Sequence, residues 1–535
     1  MVTFELEQFV ITADRIWQKA REENRLTYNP SDEELRGLVG KQPGVRKTIY
    51  GNFVARSEPT SRSAMFTKNS VDHTFGEDEL KLLAQCEKAL GKERLISIDR
   101  IVGNENSNTT VRLIVPERFA HVAYGGKNLF IPPKEEVNKP TYYILFFADE
   151  AFETNHSKPL PEKDITIRLA MLDDGRFVKI IRNGNYIGEH KKGVFAAEDW
   201  AAKTKKRGIF LHAGCREDYL QSAHGDYQMA RTLLVALSAN GKTTTTSRIL
   251  ARKGKEKSWL IQDDGGTLTP DGSFHGFEAG GIFVKTEGVN PGEQTEIFYG
   301  LLKPETVCEN VYVTEDGDFD FCNFERTSNG RAVVLRRDFM HASSYIDVGR
   351  IDNLILITRG PLIPAISKLT REQAAALMVL GQAMESSAGD PTQAGKIRSE
   401  FFYDPFAAGD PAEHANIFYE IIKGIPHLNY YLINTGGIGE GEHYKDIRLE
   451  FTMAILDSLL RGGLEDWLDS PTGFKVPRAI RYVDDIYLHP EKLCSTAEFE
   501  EKQRKLNKIR YESVKELGDS LHPDIRKVFS KPNVA

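Results

Sequence analysis

The sequence predicts an α/β protein of two large lobes, and three observations predict it. The chain has 535 residues, and at about 100 to 200 residues per domain it calls for several domains or an unusually large pair. Short β-rich runs bounded by turn residues fill about 46 to 190, and further strands alternate with Gly-rich turns from about 230 to 365, after which helices begin. The lysine-rich run from Trp200 to Arg207 precedes a new apolar strand at Gly208, a punctuation that places the lobes at 1–207 and 208–535.

Residues 1 to about 40 read as helical, with Phe9, Ile16 and Trp17 on one face and Ser31 opening a capping box for a second short helix. Strands follow at Leu95 (LISI), Thr110 (TVRLIV), Tyr142 (YYILFF) and Ile165 (ITIRLAML), the last three strongly apolar or β-branched. Thr370 (TREQAAALMVL) starts a capped helix, and Glu501 to Leu517 form a terminal helix with Leu506, Ile509 and Leu517 on one stripe. No repeat or low-complexity segment interrupts the pattern.

Composition narrows the function classes. Lys plus Arg number 70 against 77 Asp plus Glu, a net charge of 70 − 77 = −7 with no basic half, so no nucleic-acid partner is expected. Five cysteines stand singly at 86, 215, 308, 322 and 494, which suits free thiols in a reducing compartment. The first residues lack a signal-peptide pattern, and no apolar run approaches the ~18 residues of a membrane span. A cytoplasmic protein, without membrane partner and acting as a monomer or small homo-oligomer, is expected.

The clearest chemical signal is Leu233 to Thr243 (LLVALSANGKT), a buried-strand pattern running into Gly241, Lys242 and Thr243 at a helix start. Backbone N–H groups at such a turn cradle phosphate oxygens, the lysine offsets phosphate charge, and the Thr243 hydroxyl suits Mg²⁺. The standard spacing asks for glycine at Ala236, so the motif alone is evenly weighed against an ordinary turn. Twenty residues on, Trp259 to Gln262 is a short strand ending in Asp263 and Asp264, a metal-phosphate arrangement or, taken singly and more commonly, an Asp-Gly turn. Phe277 to Thr286 (FEAGGIFVKT) offers Lys285 to an anion or is a hairpin with a surface lysine. Lys191 and Lys192 in Tyr186 to Gly193 (YIGEHKKG), His212 after the Gly208 strand, and Arg56 after the strand from Gly51 each have a bland reading too: solvated lysines, a core histidine, a surface arginine.

Taken in order, these fragments resemble the ATP-type phosphoenolpyruvate carboxykinase family. Arg56-Ser57, Tyr186 to Gly193, His212, Ser238 to Thr243, Asp263-Asp264, Phe277 to Thr286 and Asn329 to Arg331 stand for its motifs, and Ile366 to Gln373, Tyr431 to Gly436 and Lys445 to Arg448 continue the match. The resemblance implies a two-lobed phosphoenolpyruvate carboxykinase-like fold with a P-loop in the C-terminal lobe. It also implies reversible conversion of oxaloacetate and ATP to phosphoenolpyruvate, CO₂ and ADP, gluconeogenic or anaplerotic in use. On that footing Arg56 and Tyr186 hold the carboxylate and departing CO₂, and Lys192, His212 and Asp264 bind Mn²⁺, which stabilises the enolate as a Lewis acid. Asp263 orients water on that metal, and Lys191 together with the cation itself lowers the pKa of Lys192 so that a neutral amine is available. Ser238, Ala239, Asn240, Gly241 and Lys242 cradle the phosphates, Thr243 takes the nucleotide's Mg²⁺, and Lys285, Gln294, Arg331 and Ile447 complete the nucleotide site.

The departures fall mainly around the base. Gly437 stands for a tryptophan, Ile447 for a threonine and Gln294 for a glutamate, so looser base discrimination is expected. Ala236, Ala239 and Asn240 alter the phosphate loop, and Ala-Gly-Cys-Arg follows His212. Two other readings are a phosphotransferase on the same fold with another acceptor or phosphate donor, and a non-catalytic nucleotide-responsive binding protein. A carboxylate substrate explaining Arg56, Tyr186 and Arg331 together argues against the first, and the presence of Lys192, His212 and Asp264 against the second.

Overall fold

The computed structural model describes residues 4–58, 63–149, 164–237, 240–252, 254–325, 329–384 and 396–530. It shows a mixed α/β protein whose chain forms two compact units. Met1–Lys206 and Gly276–Ile346 form the first; Arg207–His275 and Asp347–Ala535 form the second. The single boundary expected from the sequence therefore differs from the structure in one respect, since 276–346 return to the first unit. The physical reason is strand pairing: Val307–Glu309 lies parallel to Phe53–Ala55, joining them in a five-stranded sheet with Arg46–Lys47, Arg331–Leu335 and Gly281–Lys285.

The first unit is built on a seven-stranded sheet in the order Leu26–Tyr28, Leu95–Ile101, Thr110–Pro116, Tyr142–Phe147, Phe177–Arg182, Thr166–Met171, Thr67–Asn69. Side chains alternate faces along a strand, and the consequence is visible in Phe177–Arg182. Val178 and Ile180 join the apolar cluster that holds Phe9, Ile16 and Trp17 of the helix Glu7–Glu22, as the periodicity predicts. Lys179 therefore lies on the opposite face, where the helix Ile187–Thr204 runs. The second short helix, Asp32–Val39, carries the expected reciprocal capping box between Ser31 and Glu34.

The second unit contains an eight-stranded sheet buried on both faces. In Tyr227–Ala236, Leu233 and Val235 belong to one core cluster and Leu234 and Ala236 to the other; Leu354 and Leu356 alternate with Ile355 and Ile357 in the same way. Near-continuous apolar runs are the sequence pattern of strands covered on both sides, and each fully buried Leu, Ile or Val adds about 1.5–3 kcal/mol. The helix Arg371–Leu380 starts at the expected Thr370 cap, reciprocated by Gln373. The terminal helix departs from expectation. It spans Thr496–Glu516, and its buried residues are Phe499, Gln503, Arg510 and Val514, with Ile509 exposed. The helix starts earlier, at the Ser495 cap; Leu517 packs against the core as expected, whereas Ile509 is exposed and Arg510 beside it buries its stem and pairs its head with Gln382.

The pairing of Val307–Glu309 with Phe53–Ala55 carries a fragment-level consequence. A fragment ending at residue 206 lacks three strands of the five-stranded sheet and leaves the Val54 and Ala55 edge unpaired. Far-UV circular dichroism on heating should show a transition for that fragment well below that of the full chain. A midpoint equal to the full chain's would contradict the two-segment unit.

Candidate active site

In the first unit the residues singled out from the sequence gather at the start of the helix Ile187–Thr204. The segment after Phe53–Ala55 is fixed from two sides. Asn185 donates to the Arg56 carbonyl at 3.2 Å and accepts from the Glu58 amide at 2.8 Å, while Asn310 accepts from the Ser57 amide at 2.9 Å. Tyr186 is the extended residue capping the helix; it is buried and stands edge-on to Phe283. Lys192, one and a half turns on, places its ammonium over the Tyr186 ring at 5.0 Å. Lys191 points over Phe283 at 5.2 Å and faces Glu278 at 3.5 Å.

Antiparallel register sets Lys285 opposite Arg331 and Glu309 opposite Arg331. Glu287 lies between the two cations, 3.6 Å from Lys285 and 3.1 Å from Arg331. Gln294 caps the helix Thr295–Leu301 in this same unit. Arg331 lowers the cost of ionising Tyr186 and Lys192 lowers it further, yet burial dominates and pushes the phenol up.

Four carboxylates here escaped the sequence reading. Glu189 accepts from Lys192 at 2.9 Å and from Lys179 at 2.7 Å; Glu278, Glu287 and Glu309 complete the set. Glu189 and Glu278 sit inside the quoted motifs, so charge balance against two adjacent lysines could have marked them. Glu309 follows an apolar strand and gives no local signal. Burial works against the Lys192 ammonium, but Glu189 and Tyr186 outweigh burial, so its pKa is raised; the lowering expected for this lysine depends on the cation as well as on Lys191.

The second unit carries the strand–turn–helix. Tyr227–Ala236 leads through Asn240 and Gly241 into the helix Lys242–Ser247. Gly241 has φ 86°, a left-handed conformation that glycine adopts without strain. Ser238 and Ala239 lie outside the described residues. Arg216, wholly buried, pairs bidentately with Asp218 and also donates to the carbonyls of Thr245 and Arg248 at 2.6 and 2.9 Å, holding the far end of that helix. Thr435 donates to the Asn240 carbonyl at 3.0 Å, tying the loop after Asn429–Asn434 to the turn. Ile447 is 3 % exposed among Ala236, Ile433 and Ile438, a packing position in place of the threonine hydroxyl.

Three of the predicted residues meet directly. Lys242 donates to Asp264 Oδ1 at 2.5 Å, and His212 Nε2 stands 3.0 Å from the same oxygen. Asp263, beside it at the end of Lys257–Gln262, is buried. His212 Nδ1 lies 2.7 Å from the Tyr403 carbonyl. A carbonyl only accepts, so that contact assigns a proton to Nδ1, and Nε2 faces a carboxylate oxygen, an arrangement that suits either an Nε2–H donating to that oxygen or a divalent cation held by nitrogen and oxygen. Lys192 belongs to the first unit.

A sequence model of phosphoenolpyruvate carboxykinase matches residues 51–486, which span every motif just described. The chain belongs to the phosphoenolpyruvate carboxykinase family. Among its relatives, a phosphoenolpyruvate carboxykinase (ATP) of Aeropyrum pernix is 30% identical over 84% of this chain and 86% of its own length. One of Chelativorans is 30% identical over 90% and 86%, and one of Campylobacter lari 26% identical over 87% of each. The family is that of ATP-dependent carboxy-lyases. Among the described residues no helix is long and apolar enough to cross a membrane.

Glu309 offers a pH test. Burial pushes its carboxyl up to about 8, the Ile187 amide pulling the other way. The unfolded chain releases that proton near pH 4.3 and the native protein near 8, so its contribution to stability is complete below the lower value and lost as pH rises through the upper. Glu309→Gln should thus gain stability relative to the parent between about pH 5 and pH 8 in urea unfolding. A constant difference across that window would contradict the assignment.

Proposed function

We propose that the chain converts oxaloacetate and ATP to phosphoenolpyruvate, CO₂ and ADP, with Mn²⁺ as activating metal and Mg²⁺ accompanying the nucleotide. The observation that carries the reading is the convergence of His212 Nε2 and Lys242 on one oxygen of Asp264, which couples a phosphate lysine to a nitrogen–oxygen donor pair. An amine, an imidazole and a carboxylate suit a borderline cation such as Mn²⁺ better than Ca²⁺ or Mg²⁺, and the resemblance adds Lys192 as the amine. When bound, that cation supplies Lewis-acid stabilisation of enolate charge.

The residues of the chain do the rest. Arg56 grips the substrate carboxylate bidentately, and Tyr186 orients the carboxyl that leaves as CO₂. The C–C bond breaks with its electron pair entering the enolate; the enolate oxygen then bonds to the γ-phosphorus as the bond to ADP breaks. Lys242, Lys285 and Arg331 offset charge on the transferring phosphoryl group, and Thr243 holds Mg²⁺ by its hydroxyl. The turn at Asn240 and Gly241 acts as the phosphate loop, Ser238 and Ala239 included. Asp263 would orient water where the cation binds, and Lys191 offsets carboxylate charge.

Base recognition is weaker than phosphate recognition in this reading, because Ile447 is committed to the core and Gly437 carries no side chain. ATP is favoured, with GTP and ITP accepted.

Purified protein should form phosphoenolpyruvate from oxaloacetate and ATP, with Mn²⁺ raising the rate above that with Mg²⁺ alone. Arg56→Gln should raise the oxaloacetate KM or cut turnover by about 10²-fold, the loss of one charge-assisted bidentate contact of about 2.7 kcal/mol, and leave ATP affinity unchanged. No phosphoenolpyruvate with any of ATP, GTP or pyrophosphate would overturn the function, and a loss of ATP affinity in Arg56→Gln would overturn its assigned role.

A further inference from the structure

Lys179 has no part in the motifs that carry the family resemblance, and its setting is unusual for a lysine. It sits mid-strand between Val178 and Ile180, is 2 % exposed, and is flanked by buried apolar residues on both sides. A buried ammonium is tolerated only when paired and hydrogen-bonded. Its Nζ donates to the Glu189 carbonyl at 2.9 Å and to Glu189 Oε2 at 2.7 Å. Glu189, 1 % exposed, offers its other oxygen to Lys192 Nζ at 2.9 Å, and Lys192 donates in turn to Ser63 Oγ at 3.0 Å.

The passage for Lys179 is shaped by the helix it crosses. A Cβ on Gly193 would meet Lys179 Cδ at 2.9 Å and Ile144 Cδ1 at 2.7 Å, so the residue after Lys192 must be glycine for the lysine stem to reach Glu189. One carboxylate is thereby shared between a lysine rooted in a sheet and a lysine on the first turns of a helix. With Oε2 held by the strand, the direction of Oε1 is fixed, and with it the place of the Lys192 nitrogen. Were Lys179 absent, both Glu189 oxygens would be open to Lys192 and its nitrogen would follow the carboxylate.

We propose that Lys179 is a positioning residue for Lys192, acting through Glu189 to hold the amine where a divalent metal takes it. The proposal rests on the reading of Lys192 as a metal donor. Outer partners of metal ligands typically change metal affinity by about 10- to 100-fold, which sets the expected effect.

The test titrates the full-length protein with Mn²⁺ alone and reads free Mn²⁺ by electron paramagnetic resonance. Lys179→Met, of similar length and able to use the same passage, should weaken the Mn²⁺ Kd by about 10- to 100-fold. ATP affinity should hold, and turnover should return close to the parent value at saturating Mn²⁺, a split that mere loosening of the fold would not give. If Lys179→Met fails to fold, the pair Lys179→Met with Glu189→Gln removes both buried charges, and the same loss is expected. Parental Mn²⁺ affinity in either folded variant overturns the proposal. Where His212→Gln loses Mn²⁺ and Lys179→Met does not, the metal reading stands and this inference falls; where the parent binds no Mn²⁺, both fall.

Discussion

Burying charge in an apolar interior is possible only where each charge finds a partner, and Glu189 shows how tightly that binds the first unit together. Its carboxylate is 1 % exposed and takes two ammonium groups, one from the sheet and one from the helix that begins beside it. Removing one partner of a buried pair costs about 3–5 kcal/mol because the other charge is left uncompensated. Through these three groups the position of Lys192 is tied to the strand Phe177–Arg182, and through the Ile187 amide on Glu309 the same helix start is tied to the five-stranded sheet.

The second unit meets the same constraint with different residues. Asp264 is shared between Lys242 and His212, and Asp218 neutralises Arg216 where that arginine grips the carbonyls at the end of the helix Lys242–Ser247. A helix of six residues is too short to persist by propensity; Arg216 below it, and Gly241 and Asn240 above it, fix it from outside. The phosphate binding proposed for this turn needs that fixity, since preorganised donors stabilise developing charge without reorganising during the reaction.

How much of this was legible from sequence follows from range. Strand and helix starts that depend on local periodicity and capping, such as Ser31, Thr370 and the apolar run at Tyr142, are found where the pattern puts them. The local settings of Tyr186, His212, Lys242 and Asp264 are also legible, because each follows a short apolar strand or opens a helix, whereas Lys192 lies one and a half turns inside its helix. What stayed hidden depends on contacts far apart in the chain. The return of 276–346 to the first unit is decided by Val307 pairing with Phe53, and the inward face of Thr496–Glu516 by Arg510 reaching Gln382. Lys179 in an apolar strand could have been flagged as a misfit; its partner could not. Lys191 is the sequence neighbour of Lys192, while Glu189, one helical turn back, is its ion-pair partner, a pairing the sequence alone does not reveal.

The claim that most needs a direct measurement is that His212 and Asp264 hold the activating metal. Diffraction from crystals grown with Mn²⁺, recorded where manganese scatters anomalously, tests it without reference to turnover. The account predicts one anomalous peak bonded to His212 Nε2 and to an Asp264 oxygen, with the Lys242 ammonium moved off that oxygen. Density free of any peak there, with the Lys242–Asp264 contact intact, would contradict it.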